Sequence, residues 1–403
     1  MSYQWSYGDI LEAVEKITPE DQPALIHGDR VTNWGDFVRR TNNLARNLLA
    51  SGVQTGEKIA FYMRNCPEYS EGIAAGFKAG LTHVNVNYRY IEHELIYLID
   101  NSDATVVVYH SEFQHYVDEI KNQLPGVKHW LVVDNGNASN YEDMANKGDG
   151  SSPGIKHSAD DLLFLYTGGT TGVAKGAMLS HGNIIACVAQ SRKHLAEDEG
   201  EELSGLLIAP LPIYHIFGFS LYLCGNFSFG GRSVLIPNPR DLDGLLEVMG
   251  SFPFTEFAAV NTMLVGLMAN EKFDAVDWSN LKWTIAGGAA LVPDVAREWE
   301  RRTDSKLIEG YGLSETTANL SLNVPSSRRI GSVGQAMGFQ EIKLMDSSGK
   351  MVADGNEGEL WVRGPNVMMG YWKRREATEE AIDPEGFFKT GDVAVKLDNG
   401  FYK

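Results

Sequence analysis

The stretch "YTGGTTGVAKGAMLSHGN", residues 166–183, has the residue types that could hold a polyphosphate. Glycines let backbone N–H groups approach oxygen atoms closely, which is how a chain forms an anion-binding nest. Thr167, Thr170 and Thr171 add hydroxyl groups, and Lys175 adds a positive charge. A flexible surface connector has a similar composition, so composition alone leaves both interpretations open.

The position and order of the loop residues distinguish it from two common nucleotide loops. The loop follows "DLLFLY", a predicted strand, where nucleotide-binding loops of α/β sheets lie. Lys175 follows Ala174 and precedes Gly176, so the loop lacks the GK[ST] ending of a Walker A loop. The GxGxxG pattern is also absent. The net charge of −18, without a dense Lys/Arg run, disfavours a nucleic-acid or anionic-membrane partner. An anionic ligand would therefore meet few, local cations.

The residue order of "YTGGTTGVAKG" resembles the phosphate loop of the adenylate-forming superfamily, which includes acyl-CoA synthetases, peptide-synthetase adenylation domains and luciferases. The usual signature has Ser at Gly168 and Pro at Ala174, and both departures occur among bacterial long-chain acyl-CoA synthetases. Without the Ser hydroxyl, Gly168 offers only its N–H to a phosphate. The resemblance implies catalytic roles for Thr170 and Lys175. It implies ATP contacts from Thr167, Gly168, Gly169, Thr170, Thr171, Gly172 and Lys175.

The octet "GYGLSETT", residues 310–317, resembles the nucleotide motif of the same family. The resemblance implies that Tyr311 stacks on the purine, that Ser314 bonds the α-phosphate and that Glu315 is catalytic and holds Mg²⁺. Mg²⁺ prefers carboxylate, water and phosphate oxygens. An isolated Glu is more often a solvated surface acid, but this octet favours the metal-binding role. The nucleotide contacts expected beside it are Glu309, Gly310 and Gly312.

Two further segments resemble nucleotide-binding parts of the family. In "AGGAAL", residues 286–291, the lack of side-chain bulk would let adenine or an acyl chain lie against the backbone. The implied contacts are Gly287, Gly288 and Ala289, and a tight strand-to-helix turn is compatible with this role. In "YWKRREATEEAIDPEGFFKTGD", residues 371–392, Asp392 would accept hydrogen bonds from both ribose hydroxyls.

The segment "PLPIYHIFGFS", residues 210–220, matches the histidine-containing segment of the family. The resemblance implies that His215 is catalytic and lines the pocket for the carboxylate and the acyl chain. A lone His is more often structural, but this one follows a predicted strand, where ligands bind. The other implied pocket residues are Val260, Asn261, Thr262, Gly287, Gly312 and Thr316. The following "IFGFSLYL" offers no acid to pair an ammonium group, which disfavours an α-amino acid.

These segments imply ATP-dependent activation of a carboxylic acid. The carboxylate would attack the α-phosphorus of ATP to give acyl-AMP and pyrophosphate, and coenzyme A would then displace AMP. "FPFTEFAAVNTMLVGLM" and "AGGAAL" supply an apolar lining of small residues. "NPRDLDGLL", "FAAVNT" and "EGYGLSE" resemble long-chain fatty acyl-CoA synthetases, which implies a medium- or long-chain fatty acid. "NVNYRYIEHELIYLIDNSDATVVVYH" instead resembles ligases for steroid side chains, so a bulky or aryl acid remains the alternative.

Alternating apolar strands and helical segments predict an α/β fold with mainly parallel sheets. We expect a first α/β subdomain over 1–160, a second with the ATP and acyl sites over 161–330, and a small antiparallel β-barrel over 331–403. The polar segment 135–160 suggests a surface connection between the α/β halves. The chain stops at "DNGFYK", which looks like the start of a strand. In the family a small C-terminal cap domain follows there, so the fold is expected without that cap.

The remaining expectations concern location and partners. Three cysteines without metal spacing fit a reducing compartment, and no signal peptide or transmembrane segment is visible. The prediction is a cytoplasmic protein using ATP, Mg²⁺ and coenzyme A, with a homodimer left open. A different class of function also remains: a nucleotide-binding module without useful turnover.

Lys175 gives the first test. Lys175→Ala should weaken ATP binding far more than AMP binding, because AMP lacks the β- and γ-phosphates that the lysine would contact. Calorimetry with both nucleotides measures this difference. An equal loss for ATP and AMP would remove Lys175 from the polyphosphate site.

Overall fold

The computed structural model describes residues 5–134, 136–168, 173–199 and 205–403. The chain divides into two compact units. Unit 1 comprises Met1–Gly182 and Pro212–Pro237, and unit 2 comprises Asn183–Leu211 and Asn238–Lys403. The boundaries of the three subdomains suggested by the sequence stay a prediction.

The strands, in chain order, are β1 (Pro23–His27), β2 (Arg30–Asn33), β3 (Lys58–Tyr62), β4 (Thr82–Val86), β5 (Ala104–His110), β6 (His129–Val133), β7 (Leu162–Thr167), β8 (Lys175–Ser180), β9 (Leu206–Ala209), β10 (Arg232–Leu235), β11 (Glu256–Ala259), β12 (Trp283–Ala286), β13 (Lys306–Tyr311), β14 (Ser321–Leu322), β15 (Gly334–Ala336), β16 (Glu341–Met345), β17 (Glu357–Arg363), β18 (Gly370–Tyr371), β19 (Phe388–Val395) and β20 (Phe401–Tyr402).

The α-helices are α1 (Tyr7–Glu15), α2 (Trp34–Ala50), α3 (Pro67–Lys78), α4 (Glu92–Asn101), α5 (Gln114–Ile120), α6 (Asn140–Asn146), α7 (His181–Glu199), α8 (Ile216–Gly218), α9 (Leu242–Ser251), α10 (Asn261–Met268), α11 (Pro293–Thr303) and α12 (Arg375–Ala381). A π-helical segment, Phe219–Gly225, follows α8.

Unit 1 is built on a sheet in the order β6-β5-β3-β4-β7-β8. The first five of these strands run parallel, and β8 pairs antiparallel with β7. Every residue of β4 is buried, as expected for a strand inside a parallel sheet that is covered on both faces. Strand β1 pairs antiparallel with β2 and parallel with β10. The carboxyl ends of the parallel strands meet at one edge of the first sheet.

Unit 2 contains β9, β11, β12 and β13 as neighbouring parallel strands, followed by antiparallel β14, β15 and β20. A separate antiparallel sheet has the order β16-β17-β19. The prediction of parallel sheets plus an antiparallel one is thus confirmed. The predicted strand at the chain end is also present, because β20 pairs with β15.

The segment 135–160 differs from the predicted surface connection. It contains helix α6, in which Tyr141 is fully buried and Glu142 forms an ion pair with Arg40 of α2. The strand after it, β7, pairs with β4 in the same sheet. The sequence carries no clear signal for this helix, because few of its residues are buried and its acid Glu142 is paired with another helix.

Candidate active site

The glycine loop joins β7 to β8, so it is the turn of an antiparallel hairpin. Thr167 and Lys175 lie opposite each other where the two strands leave the turn. Gly168 is exposed, and the predicted phosphate contacts Gly169, Thr170, Thr171 and Gly172 lie outside the described residues. Sequence reasoning missed β8, because its small residues "KGAMLS" carry no clear strand pattern.

Packing favours a glycine at the start of β8. A Cβ atom at Gly176 would lie 3.0 Å from the Tyr166 ring on the paired strand. Helix α4 then holds both arms of the hairpin. The hydroxyl of Tyr166 donates to Asn101 Oδ1 at 2.8 Å, and the hydroxyl of Tyr97 donates to the carbonyl of Ala174 at 2.9 Å. The residue before Lys175 is therefore fixed by a helix of the same unit.

His215 lies directly before α8 in unit 1. Its Nδ1 accepts the backbone N–H of Phe217 at 3.3 Å, which assigns the proton of the neutral ring to Nε2. Although the side chain is exposed, the loss of hydration around the ring lowers its pKa. Both observations favour a neutral imidazole whose Nε2–H can donate a hydrogen bond.

Asn85, at the carboxyl end of β4, connects the histidine segment to the hairpin. Its Oδ1 accepts the N–H of Tyr166 at 2.7 Å, and its Nδ2 donates to the carbonyl of Tyr214 at 2.7 Å. Sequence reasoning did not select Asn85 as a site residue. The available signal was an amide side chain in the predicted buried strand "THVNV", since a buried amide needs specific partners.

In unit 2, the predicted adenine and acyl segments follow neighbouring parallel strands. The Val260–Thr262 segment follows β11, and the "AGGAAL" loop follows β12. The backbone N–H of Val292 donates to Asn261 Oδ1 at 3.0 Å and ties the two segments together. Gly288 has a φ of 74°, and a Cβ there would lie 4.0 Å from Val260 Cγ1. The structure thus brings the predicted Gly287–Ala289 and Val260–Thr262 groups to the same edge of one sheet.

Glu309 lies on β13, beside the end of β12. Its Oε1 accepts the N–H of Leu291 at 3.3 Å, while the buried Oε2 has no hydrogen-bond partner among the described residues. The side chain is 8% exposed and lines a small cavity with Leu291 and Asn323. Burial raises the pKa of Glu309 to about 7, and the Leu291 N–H only partly offsets this.

Tyr311 and Asp392 are in contact although they are far apart in sequence. The Tyr311 hydroxyl donates to Asp392 Oδ2 at 2.6 Å. Burial, followed by the hydrogen bond to Asp392, raises the pKa of Tyr311 well above its ordinary value, so the phenol remains protonated. The bond fixes the tyrosine ring beside the exposed carboxylate, which suits a ring for the base and a carboxylate for the ribose.

The turn after Tyr311 is tightly constrained. A Cβ at Gly312 would lie 1.4 Å from the carbonyl oxygen of Ala318, so only glycine fits. The Thr316 hydroxyl accepts the N–H of Leu313 at 2.9 Å and is fully buried. Thr316 thus closes the turn that carries Ser314, which is half-buried.

Glu315 is held in this turn by a buried partner that sequence reasoning did not identify. The Tyr371 hydroxyl donates to Glu315 Oε1 at 2.8 Å, and the Glu315 side chain is only 8% exposed. The signal for Tyr371 was its place at the start of the quoted segment 371–392, but its partner lies 56 residues away.

Two further features of the described residues concern metal binding and membrane crossing. These residues contain no group of three or more His, Cys, Asp or Glu side chains that could bind a metal ion by themselves. Within the same residues, no helix combines the length and apolar character needed to cross a membrane. Cys66, Cys187 and Cys224 are buried and form no disulfide bond within the described part of the chain.

Comparison with known proteins identifies the family. The model of the family described as AMP-binding enzyme matches residues 11–372. The chain belongs to the AMP-binding enzyme family. A long-chain-fatty-acid–CoA ligase of Yersinia pestis is 32% identical over 98% of this chain and 76% of its own length. A feruloyl-CoA synthase of an Amycolatopsis species is 31% identical over 94% of this chain and 74% of its own.

A solved structure supports the fold of this AMP-binding enzyme. The anthranilate CoA ligase AuaEII, in complex with anthranoyl-AMP, superimposes with a TM-score of 0.92 at 23% identity. The match covers 100% of this chain and 77% of that one. The family resemblance stated from the sequence motifs is therefore confirmed, and so is the fold class.

The carboxyl of Glu309 gives a pH-dependent prediction for stability. An ordinary glutamate titrates near 4.5, whereas Glu309 in the folded enzyme titrates near 7. Its contribution is fully present below pH 4.5 and is lost as pH rises through 7, at up to about 1.4 kcal/mol per pH unit. Glu309→Gln cannot ionise, so it should gain stability relative to the unmodified protein by about 2 kcal/mol between pH 5 and 8.

Urea midpoints measured across this pH range test the prediction. The control is Glu271→Gln, which removes an exposed acid and should follow the profile of the unmodified protein. If the difference between Glu309→Gln and the unmodified protein stays constant with pH, the carboxyl of Glu309 ionises normally in the folded state.

Proposed function

We propose that this enzyme activates a medium- or long-chain fatty acid with ATP and transfers the acyl group to coenzyme A. The observation that carries the proposal is the β7–β8 hairpin. Its glycine-rich turn follows a parallel strand, and its ends place a hydroxyl and a cation, Thr167 and Lys175, opposite each other. In a chain of net charge −18, such a local arrangement suits a polyphosphate.

In the first half-reaction a carboxylate oxygen attacks the α-phosphorus of ATP. A new O–P bond forms, the bond to the β-phosphate oxygen breaks, and pyrophosphate leaves with that electron pair. We assign Lys175 and the backbone N–H groups of the turn to the β- and γ-phosphates. Thr167, Thr170 and Thr171 would orient these phosphates by hydrogen bonding. Catalysis here consists mainly of alignment and charge neutralisation.

Glu315 is assigned to Mg²⁺, which would neutralise phosphate charge when bound. The donor set fits this ion, because Mg²⁺ is usually bound by one or two carboxylates together with substrate phosphates and water. Tyr371 restrains the carboxylate through its hydrogen bond to Glu315 Oε1. Ser314, on the same turn, would donate to the α-phosphate.

We assign the nucleoside to the edge of the unit 2 sheet. The Tyr311 ring would stack on adenine, with the Gly287–Ala289 backbone and Glu309 near the base. Asp392 would accept hydrogen bonds from the ribose hydroxyls, and its contact with Tyr311 sets the spacing between base and sugar recognition. Gly310 and Gly312 are the other proposed nucleotide contacts. Side chains at these positions would collide with Leu322 and Ala318, respectively.

His215 is assigned to the acid. Its neutral ring can donate from Nε2 to a carboxylate oxygen without forming a strong ion pair that would lower the nucleophilicity of that oxygen. Val260, Asn261, Thr262, Gly287, Gly312 and Thr316 stay the proposed acyl contacts. In the second half-reaction the coenzyme A thiolate attacks the acyl carbon, a C–S bond forms, and AMP leaves.

The acid is assigned from two observations. Helix α10, "NTMLVGLM", is mainly apolar. The long-chain-fatty-acid–CoA ligase of Yersinia pestis is similar over nearly the whole chain. A bulky or aryl acid is the second candidate, favoured by the similarity to a feruloyl-CoA synthase. Buried cysteine thiols support a cytoplasmic location as part of the proposal.

A series of acyl-sulfamoyl adenosines tests the acid. Each additional buried CH₂ contributes about 0.8 kcal/mol, so affinity should rise about fourfold per carbon until the pocket is filled. Calorimetry should show this rise through chains of about twelve carbons, with aminoacyl analogues binding more weakly. A plateau below about eight carbons, with tight binding of a steroid or feruloyl analogue, would replace the fatty acid by the second candidate.

A further inference from the structure

The side chain of Asn85 forms two hydrogen bonds that play no part in the roles proposed above for the glycine loop and His215. Its side chain is 6% exposed at the carboxyl end of β4. One amide atom bonds the first strand of the phosphate hairpin, at Tyr166 N, and the other bonds the residue before His215, at Tyr214 O. Both distances are 2.7 Å.

The two backbone partners allow only one orientation of the amide. Tyr166 offers an N–H and therefore needs the Asn85 oxygen, whereas Tyr214 offers a carbonyl and needs the Asn85 NH₂ group. An apolar side chain would leave both backbone groups without these bonds. A carboxylate could still accept from Tyr166 but could not donate to Tyr214. The site thus selects asparagine among residues of this size.

The strand geometry explains why Tyr166 depends on this amide. The parallel pairing of β4 and β7 is recorded at His83–Leu163 and Val84–Phe164. Immediately beyond it, the Asn85 side chain bonds Tyr166 N and so continues the connection between the two strands. This bond fixes the backbone directly before Thr167 and the glycine turn.

The histidine segment is held by two asparagine side chains, which bond the peptide groups on either side of the one that joins Ile213 to Tyr214. Asn65 Oδ1 accepts the N–H of Ile213 at 2.9 Å, and Asn85 Nδ2 donates to the carbonyl of Tyr214. Asn65 is also buried, at 4% exposure. Asn85 also bonds the hairpin at Tyr166 N, so a shift of the His215 backbone would be transmitted through its amide to Tyr166.

We propose that Asn85 is a positioning residue that couples binding of the acid at His215 to binding of the ATP phosphates at the hairpin. The proposal rests on the function proposed above. Ordering of the histidine segment by the acid fixes the Asn85 amide, which in turn fixes the start of the phosphate turn. By thermodynamic reciprocity, ATP must strengthen acid binding by the same factor.

Calorimetry with α,β-methylene-ATP, Mg²⁺ and dodecanoic acid measures this coupling without turnover. In the unmodified protein, the acid should tighten binding of the ATP analogue by about fivefold or more. Asn85→Leu should reduce that factor to near one. Asn85→Asp, which keeps the bond to Tyr166, should bind the ATP analogue alone with an affinity within about threefold of normal and still lose the coupling.

Asn43 provides a matched control in the same unit. It is 1% exposed, accepts the N–H of Gly150 at 2.9 Å and donates to the carbonyl of Ala145 at 3.2 Å. Asn43→Leu and Asn43→Asp therefore remove equivalent buried bonds away from the hairpin, and they should leave the coupling factor unchanged.

The outcomes separate this inference from the proposed function. If the unmodified protein binds no ATP analogue, the proposed function and the inference both fail. If it binds ATP analogue and acid, but the factor is near one or survives in both Asn85 variants, only the inference is overturned. Equal loss of coupling in the Asn43 and Asn85 variants would also overturn it, because the effect would then be one of general stability.

Discussion

Where parallel strands separate, their ladder of hydrogen bonds ends, and the freed backbone N–H groups need new partners. The same solution recurs at strand ends and adjoining loops in both units. In unit 1, Asn85 and Asn65 accept N–H groups from Tyr166 and Ile213. In unit 2, Asn261 and Glu309 accept those of Val292 and Leu291. The hairpin, the histidine segment and the "AGGAAL" loop are each held by such a bond.

This constraint links local structure to chemistry. The side chains that complete the backbone bonding also fix the described ends of the loops that we propose to bind the ligand. A chain with 53 acidic and 35 basic residues cannot attract a polyphosphate by its overall charge. Prepared backbone donors and a small number of cations such as Lys175 are the alternative, and they cost little reorganisation during the reaction.

The sequence predicted the parallel strands well, because "EKIAFYM", "ATVVVYH" and "LKWTIAG" are apolar runs of strand length. The motifs also selected Tyr311, Glu315 and Asp392 as candidate site residues, and their roles stay predictions. The residues that hold the site in place were not predictable from the sequence. Tyr371 bonds Glu315 and Asn85 bonds Tyr214, and only the fold brings these distant residues together. Strand β8 and helix α6 were missed because small or polar residues there pack against particular neighbours and form no clear periodic pattern.

The central claim is that a carboxylate oxygen attacks the α-phosphorus of ATP. A fatty acid labelled with ¹⁸O in both carboxyl oxygens tests it directly, in a reaction with ATP, Mg²⁺ and coenzyme A analysed by mass spectrometry. The account predicts AMP carrying one ¹⁸O atom, because the oxygen that joins acid to phosphorus stays with AMP when the thiolate attacks the acyl carbon. Label in inorganic phosphate, with ADP as the nucleotide product, would contradict it by showing attack at the γ-phosphorus.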